Sequence, residues 1–516
     1  MRPTKTIAIV TLTLVVLATC LVGLPRRAQS DSYAGSTDYQ AKVQNEEVVL
    51  FPFDNYAVPF RSGLQLSLVE GQLQKSPVLP LGRDNQPDSL GISFYGTVIR
   101  MGTQLRMWYL CAGNHEKGVG FSWLPGANWR VCYAVSTDGI HWEKPNLGLV
   151  EYGGNTQNNL VGLDPLHHEV ISCVVIYDSD DPNPDRRFKM IYEGHGGVNS
   201  AAYSRDGLVW INSPQNPVMK IRFEPTGLIK HHGLFYAVGH PSDFNKRVLV
   251  THASADFEHW TEAESLGFRR DYIGTLHPPL WGKQVHLGAG LWDRGNVILG
   301  LYGQWNGLSV ESNDRRDMRM NLGLVISHDA IHYYEPIPDF QMISSIDAKF
   351  PTLGFRPALA QGQAFLNLGE KTLAWYSLWG PGGSDGVYLA TWDRDRLGYY
   401  YVSAEPLEGQ LPVQGVAPHF VSCPIRLDKA GTKVYVNAAG LGEYSNVIVE
   451  ILDESFEGIP GYSGSDSLPL ATSGLRQQIR WRNNESLPKF DHPVRIRVNF
   501  GGLQVEHARV YAVYLN

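Results

Sequence analysis

The chain has 516 residues, with 44 Lys and Arg against 51 Asp and Glu, a net charge of −7. That length exceeds one ordinary hydrophobic core, so two folded units are expected. The acidic balance excludes nucleic acid and anionic membrane surfaces as partners. With 53 Gly, 25 Tyr, 13 Trp and only 18% charged residues, the composition suits short strands joined by tight turns.

In chain order, the first thirty residues stand apart. Met1 to Lys5 is basic, Thr6 to Leu24 is apolar, and Arg26 to Ser30 ends in small residues. This is the pattern of a secretion signal, with an uncleaved N-terminal anchor as the alternative. Leu17-Ala-Thr-Cys20 is a poor fit to a lipoprotein box. Removing the segment leaves 40 basic against 51 acidic side chains, a net charge of about −11. An exported protein is expected: periplasmic, extracellular or at the cell surface. The remaining cysteines, Cys111, Cys132, Cys173 and Cys423, form no C-x-x-C pair, which argues against zinc. Cys111 and Cys132 fall on neighbouring strands, where a disulfide and two small buried thiols are both open readings.

Residues 31–80 read as an extended segment that packs on a propeller beginning at residue 81. Within that propeller YAVSTDGIHW (133–142) returns as AAYSRDGLVW (201–210), THASADFEHW (251–260), LVISHDAIHYY (324–334) and the degenerate YLATWDRDRLGYY (388–400). Around each copy four strands can be placed, such as 90–100, 105–111, 129–136 and 140–143 around the first. No long stretch has a helical period. Four antiparallel strands repeated five times give an all-β, five-bladed β-propeller over 81–404. In each copy the serine and aspartate cap backbone N–H groups of the turn to the outermost strand, glycine supplies a positive φ, and the aromatic packs between blades. These aspartates are scaffold. Residues 405–425 read as a linker, and 426–516, whose strands alternate apolar and polar residues, as a C-terminal β-sandwich.

In a propeller the chemistry gathers where the inner strands start. Asp88, Glu169 and Glu224 open blades one to three, and three carboxyl groups converging there suit glycoside hydrolysis: one is held protonated, a second acts as nucleophile or base, and a third tunes the first. Trp123, Trp281, Trp305 and Trp379 lie in the loops and connections on that face and are candidate platforms for sugar rings. His168, His232 and His286 are candidate channel liners that hydrogen-bond sugar or water. No metal or cofactor is required, with a channel calcium ion as the alternative.

The repeat YxxSxDGxxW followed by EKPNLGLVEYGGNTQNN (143–159) resembles the bacterial glycosidase-like propellers related to glycoside hydrolase families 32, 43 and 68. The resemblance spans the mature chain and implies a five-bladed propeller, with a C-terminal sandwich as in family 32. Phe223-Glu224-Pro225-Thr226-Gly227-Leu228 is similar to the W-E-C-P-D-L-type segment that carries that family's acid, which implies Glu224 as general acid. His168-Glu169-Val170 stands where the family has R-D-P, which places Glu169 at the transition-state-stabilising position. The N-D-P-N-G motif of blade one has no counterpart, and Asp88 is the nearest acid. A secreted glycoside hydrolase acting as a monomer on a poly- or oligosaccharide is therefore expected. The alternatives are a non-catalytic carbohydrate-binding propeller and a phosphorylase-like relative using Arg315, Arg316 and Arg319. A sialidase would need an arginine triad that the inner-strand starts lack.

Overall fold

The computed structural model describes residues 47–121, 124–164, 169–241, 247–270, 282–306, 319–345, 358–379, 385–403 and 416–516. Among these residues there is no α-helix, and the short helical turns are 3-10, at Pro184–Arg186, Gly464–Asp466 and Val505–His507.

Five strands form an inner ring: Gly91–Met101, Val170–Tyr177, Phe223–His231, Lys283–Asp293 and Leu359–Leu368. Each lies beside the next, and the fifth returns to the first through a parallel bridge between Gln363 and Thr97. From each, antiparallel strands run outward to make a blade. The ring is tight enough that backbone meets backbone. A Cβ on Gly290 would stand 2.1 Å from the Gly362 oxygen, and one on Gly227 would stand 2.2 Å from the Ala289 oxygen. Across the axis, Gln363 Oε1 accepts a hydrogen bond from the Leu228 amide at 2.6 Å.

The recurring turns lie at the far ends of the third strands. Ser136 Oγ accepts from the Asp138 and Gly139 amides, and Asp138 Oδ1 accepts from the Ile140 and His141 amides at 2.8 Å. The turn carbonyl joins blades: Gly139 O accepts from Trp142 of its own turn and from Trp375 of blade five. Gly207 O likewise accepts from Trp210 and from Trp108 of blade one. Glycine is not obligatory at this position. Phe257 and Ala330 occupy it in copies three and four at φ 71° and 61°, held there by the same serine and aspartate bonds. The fifth copy has another use. Asp395 is fully buried and binds Arg294, Asn367 Nδ2 at 2.8 Å and Tyr514 OH at 3.0 Å, which ties blade five to the C-terminal strand.

Two further sheets form a sandwich. One is ordered Gly474–Gln478, Val434–Ala439, Arg509–Leu515, Gly398–Tyr401, Gln65–Leu68, with Val48–Leu50 also on Arg509–Leu515; the other is Phe60–Ser62, His419–Val421, Arg495–Gly501, Asn446–Leu452. Between them lie Val436, Val449, Ile496, Val498, Val513 and Leu515. Alternation turns Ala512 and Tyr514 the other way, into a second core with Phe51 and Phe53 and with Leu299, Leu322 and Trp392 of the blades. The strand Arg509–Leu515 is therefore buried on both faces.

The segment boundaries expected from sequence shift accordingly. Val48–Leu50, Phe60–Ser62 and Gln65–Leu68 pair in the sandwich sheets, while Val49, Phe51, Phe53 and Leu68 pack against the propeller as expected. Among the described residues of this segment, Gln72–Leu73 and Leu79–Pro80 pair with a propeller strand, covering the exposed edge of Gly386–Asp393 in blade five. Gly398–Tyr401, expected in the propeller, and His419–Val421, expected in the linker, are sandwich strands. The reason is edge pairing: each of these short apolar strands finds an open ladder there. Blade one departs too. Its second and third strands extend to Gln104–Phe121 and Leu124–Ser136 where a loop was expected, held across the ribbon by Glu116 with Arg130 and Asn128. Cys111 and Cys132 form a disulfide between these strands, with Cα atoms 5.9 Å apart. Cys173 and Cys423 are buried free thiols.

Burial alone would raise the Asp138 carboxyl, but hydrogen bonds from the His141 ring and from the His141 and Ile140 amides outweigh it and hold the group well below the usual range. Asp138→Ala should cost about 1 kcal/mol, as for other lost backbone caps. A carboxyl depressed in the folded state adds stability above its unfolded value of about 3.9 and loses it as pH falls further. The gap in denaturant midpoint between wild type and Asp138→Ala should thus be widest at neutral pH and shrink below about pH 4.

Candidate active site

Four inner strands carry an irregularity just inside their starting ends, between Ser93 and Thr97, Pro225 and Gly227, His286 and Ala289, and Gln361 and Phe365. Blade two has its own between Glu193 and Gly194, opposite the inner-strand start at Val170. A bulge adds a residue and re-aims side chains out of the ladder. Second strands run back toward this end, so their last residues join the same cluster.

Glu224 opens the inner strand of blade three and pairs in register with His240 on the second. Its Oε2 stands 3.2 Å from His240 Nε2, and its side chain keeps 19% exposure. His240 Nδ1 donates to Pro241 O at 2.8 Å. Arg247, which leads into the third strand, places Nη1 3.3 Å from His240 Nε2 and 2.7 Å from His286 Nδ1. The guanidinium lies over the Trp305 ring at 4.3 Å. His286 Nε2 is 3.1 Å from the Tyr95 hydroxyl of blade one, and Gln361 of blade five donates to His286 O at 3.0 Å. Trp379, half-buried, meets His286 edge-on with ring centroids 5.9 Å apart. Glu193 of blade two completes the group.

Charge inside this cluster is unevenly held. Burial, reinforced by the charge of Glu224, pushes the Glu193 carboxyl well above its ordinary range. Burial lowers His240 although Glu224 pulls the other way, with Arg247 adding to the lowering. Tyr95 is raised well above its ordinary value by burial and then by Glu224. Burial thus favours the uncharged form of Glu193, His240 and Tyr95 around Glu224. A carboxyl group raised by burial beside a second one is usual equipment for acid–base work.

Of the residues expected from sequence, the structure brings Glu224, His286, Trp305 and Trp379 together. The rest separate. Asp88 is fully buried away from the cluster, with Oδ2 2.9 Å from Tyr109 OH and 2.5 Å from Lys144 Nζ. It anchors the blade-one edge and does not supply a free carboxylate. Glu169 is also buried; its Oε1 accepts from the Val119 and Gly120 amides of the blade-one ribbon. It latches that ribbon to the start of blade two. His232 caps the hairpin at the other end of the Glu224 strand, at φ 48° and exposed. Seven residues of strand, about 23 Å, part it from Glu224. Trp305 is fully buried beneath Arg247, a support for the cation and not a sugar platform. His168, Trp123, Trp281, Arg315 and Arg316 lie outside the described residues, and Arg319 is an exposed strand end. Among the described residues no three His, Cys, Asp or Glu side chains gather as metal ligands.

Sequence reasoning missed Glu193, His240, Arg247 and Tyr95. The signal for the first two was present: each stands one residue from the end of its second strand, in YEG and GHP. The second strand's return to the inner-strand starts makes its last residues candidates as much as the first residues of the inner strand.

No family model matches the chain, and no curated protein is similar to it. Solved structures similar to it include a family 130 glycoside hydrolase that targets β-1,2 mannosidic linkages in Candida mannan. It shares 15% identity over 66% of this chain and 97% of that one, at a TM-score of 0.42. A glycosyl hydrolase from Bacteroides ovatus shares 15% over 64% and 95%, at 0.43. An exo-β-1,3-galactanase from Phanerochaete chrysosporium shares 10% over 86% and 100%, at 0.36.

A neutral Glu193 has an infrared consequence. At pH 7 in heavy water the protonated-carboxyl band of wild type should lose intensity in Glu193→Gln; identical spectra would show an ionised Glu193. Because burial raises this group, the folded state holds more protons above about pH 4.3, and wild type should lose stability relative to Glu193→Gln as pH rises from there.

Proposed function

We propose that this protein is an exported glycoside hydrolase acting on a poly- or oligosaccharide. The observation that carries the reading is the gathering of Glu224, the partly exposed carboxyl, with His240, Arg247 and the buried Glu193 near the starting ends of the inner strands. Glu224 passes a proton to the glycosidic oxygen as the C–O bond breaks, and the buried Glu193 is the reservoir beside it. Water supplies the oxygen that ends on the sugar and the proton that restores the pair. Trp379 offers an aromatic face to a sugar ring near His286. Export is supported by the apolar stretch from Thr6 to Leu24 and by the Cys111–Cys132 disulfide, a bond that persists in oxidising compartments.

One observation favours a second reading, a carbohydrate-binding propeller without turnover. The blade-one acid Asp88 is engaged by Lys144 and Tyr109 and is withdrawn from the pair.

The two readings part in a screen of residues 31–516 against polysaccharides and aryl glycosides, run beside Glu224→Gln. Hydrolysis by wild type, lowered at least about 100-fold in the variant with its melting temperature kept, is the expected result. Binding by both proteins with release by neither would establish the binding module. Full activity in the variant would remove Glu224 from the acid role.

A further inference from the structure

The hydrogen positions in the cluster are dictated by partners that have no choice. A carbonyl oxygen only accepts, so His240, bonded through Nδ1 to Pro241 O, carries its hydrogen there. A guanidinium only donates and does not lose its proton in proteins. Both nitrogens that Arg247 meets, His240 Nε2 and His286 Nδ1, therefore offer lone pairs. His286 must then carry its hydrogen on Nε2, where it donates to the Tyr95 oxygen at 3.1 Å. The hydroxyl of Tyr95, having accepted, turns its own hydrogen away from His286. Arg247, His240, His286 and Tyr95 are all at least 95% buried, so water competes little for these bonds.

We propose that Arg247 is a positioning residue that fixes His240 and His286 in opposite tautomers. His240 thereby keeps Nε2 free of hydrogen on the side of Glu224, and Tyr95 presents its hydroxyl hydrogen to a sugar oxygen at the site. The inference deepens the glycosidase reading and rests on it for the sugar. The hydrogen arrangement itself does not. Among the described residues, the charged and titratable groups that bear on it are Glu224 and His240 of blade three, Glu193 of blade two with Arg222 acting on it, His286 of blade four and Tyr95 of blade one. None of these reverses the chain while Arg247 donates at its head. A neutral donor such as Gln at position 247 has an acceptor as well, and loses this polarity. Trp305 keeps the guanidinium in place from below.

Neutron diffraction from deuterated wild-type crystals near pH 7 tests the arrangement without any variant. Deuterium is expected on His240 Nδ1 and His286 Nε2 and on a Tyr95 hydroxyl pointing away from His286. Deuterium on His240 Nε2 or His286 Nδ1 would overturn the proposal. The functional part is read from Arg247→Met, whose side chain is uncharged and apolar. Freed of the cation, a histidine of the pair can take a second proton, so activity should fall on the acid side along a limb that wild type does not show. A variant whose pH profile parallels that of wild type would refute the positioning role. If deuterium lies as expected yet wild type cleaves no glycoside, the tautomers stand and the hydrolase reading fails. Cleavage with the tautomers reversed leaves the hydrolase reading standing and removes the tautomer assignment.

Discussion

The tightness of the inner ring is the constraint on which the rest depends. Five strands meet closely enough around the axis that Gly290 lies against the Gly362 oxygen and Gly227 against the Ala289 oxygen, with no space for a Cβ. Strands with larger residues there would be held apart, and the bond from the Leu228 amide to Gln363 across the axis would be out of reach. Blades fixed at the axis have to splay outward, and the gaps between them are filled by aromatic side chains. The indoles of Trp108 and Trp375 do more than fill: each donates to the turn carbonyl of the following blade. The serine–aspartate turns keep that carbonyl aimed, so a feature that looks repetitive in sequence is an inter-blade fastening.

The same constraint makes the site. The regular ladder cannot be tight at the axis and also point polar groups into it, and the bulges near the strand starts resolve the conflict. Beyond them, residues of blades one, three, four and five come within hydrogen-bonding reach, with Glu193 of blade two near enough to feel the charge of Glu224, in a setting from which water is largely excluded. There a charge is costly, and burial raises Glu193 and Tyr95 and lowers His240, each toward its uncharged form. Arg247, stacked on Trp305, is the permanent cation among them. Hydrogen bonds made in such a medium are stronger than in water and less forgiving of a missing partner.

Much of this was legible in the sequence, and the part that was not has a physical reason. The serine–aspartate turns announced themselves because their chemistry is local: cap, turn and aromatic lie within seven residues. Alternation in 434–439, 446–452, 495–501 and 509–515 likewise marked the sandwich strands. Glu224 could be found because the start of an inner strand is a definable place. Asp88 was misplaced by the same rule, since what decides its role is a lysine 56 residues away and a tyrosine on the next strand. Trp305 and Arg247 define each other, and neither says so alone. The run from 48 to 80 was read as one segment, yet it divides between two partners that are hundreds of residues distant. Pairings of that kind leave no trace in local pattern.

That division has a consequence for the order of events during synthesis. Asn296 can hold Val49 earlier, but Val48–Leu50 has no strand to pair with until Arg509–Leu515 exists, and the outer edge of blade five waits for residues made early to meet residues made late. Such pairings close very long loops and come last in folding. A ribosome-bound chain can assemble blades two to four from neighbouring sequence while both flanks hang loose. For a polypeptide exported as proposed, delay of that kind keeps it pliable on the near side of a translocation pore and completes it on the far one.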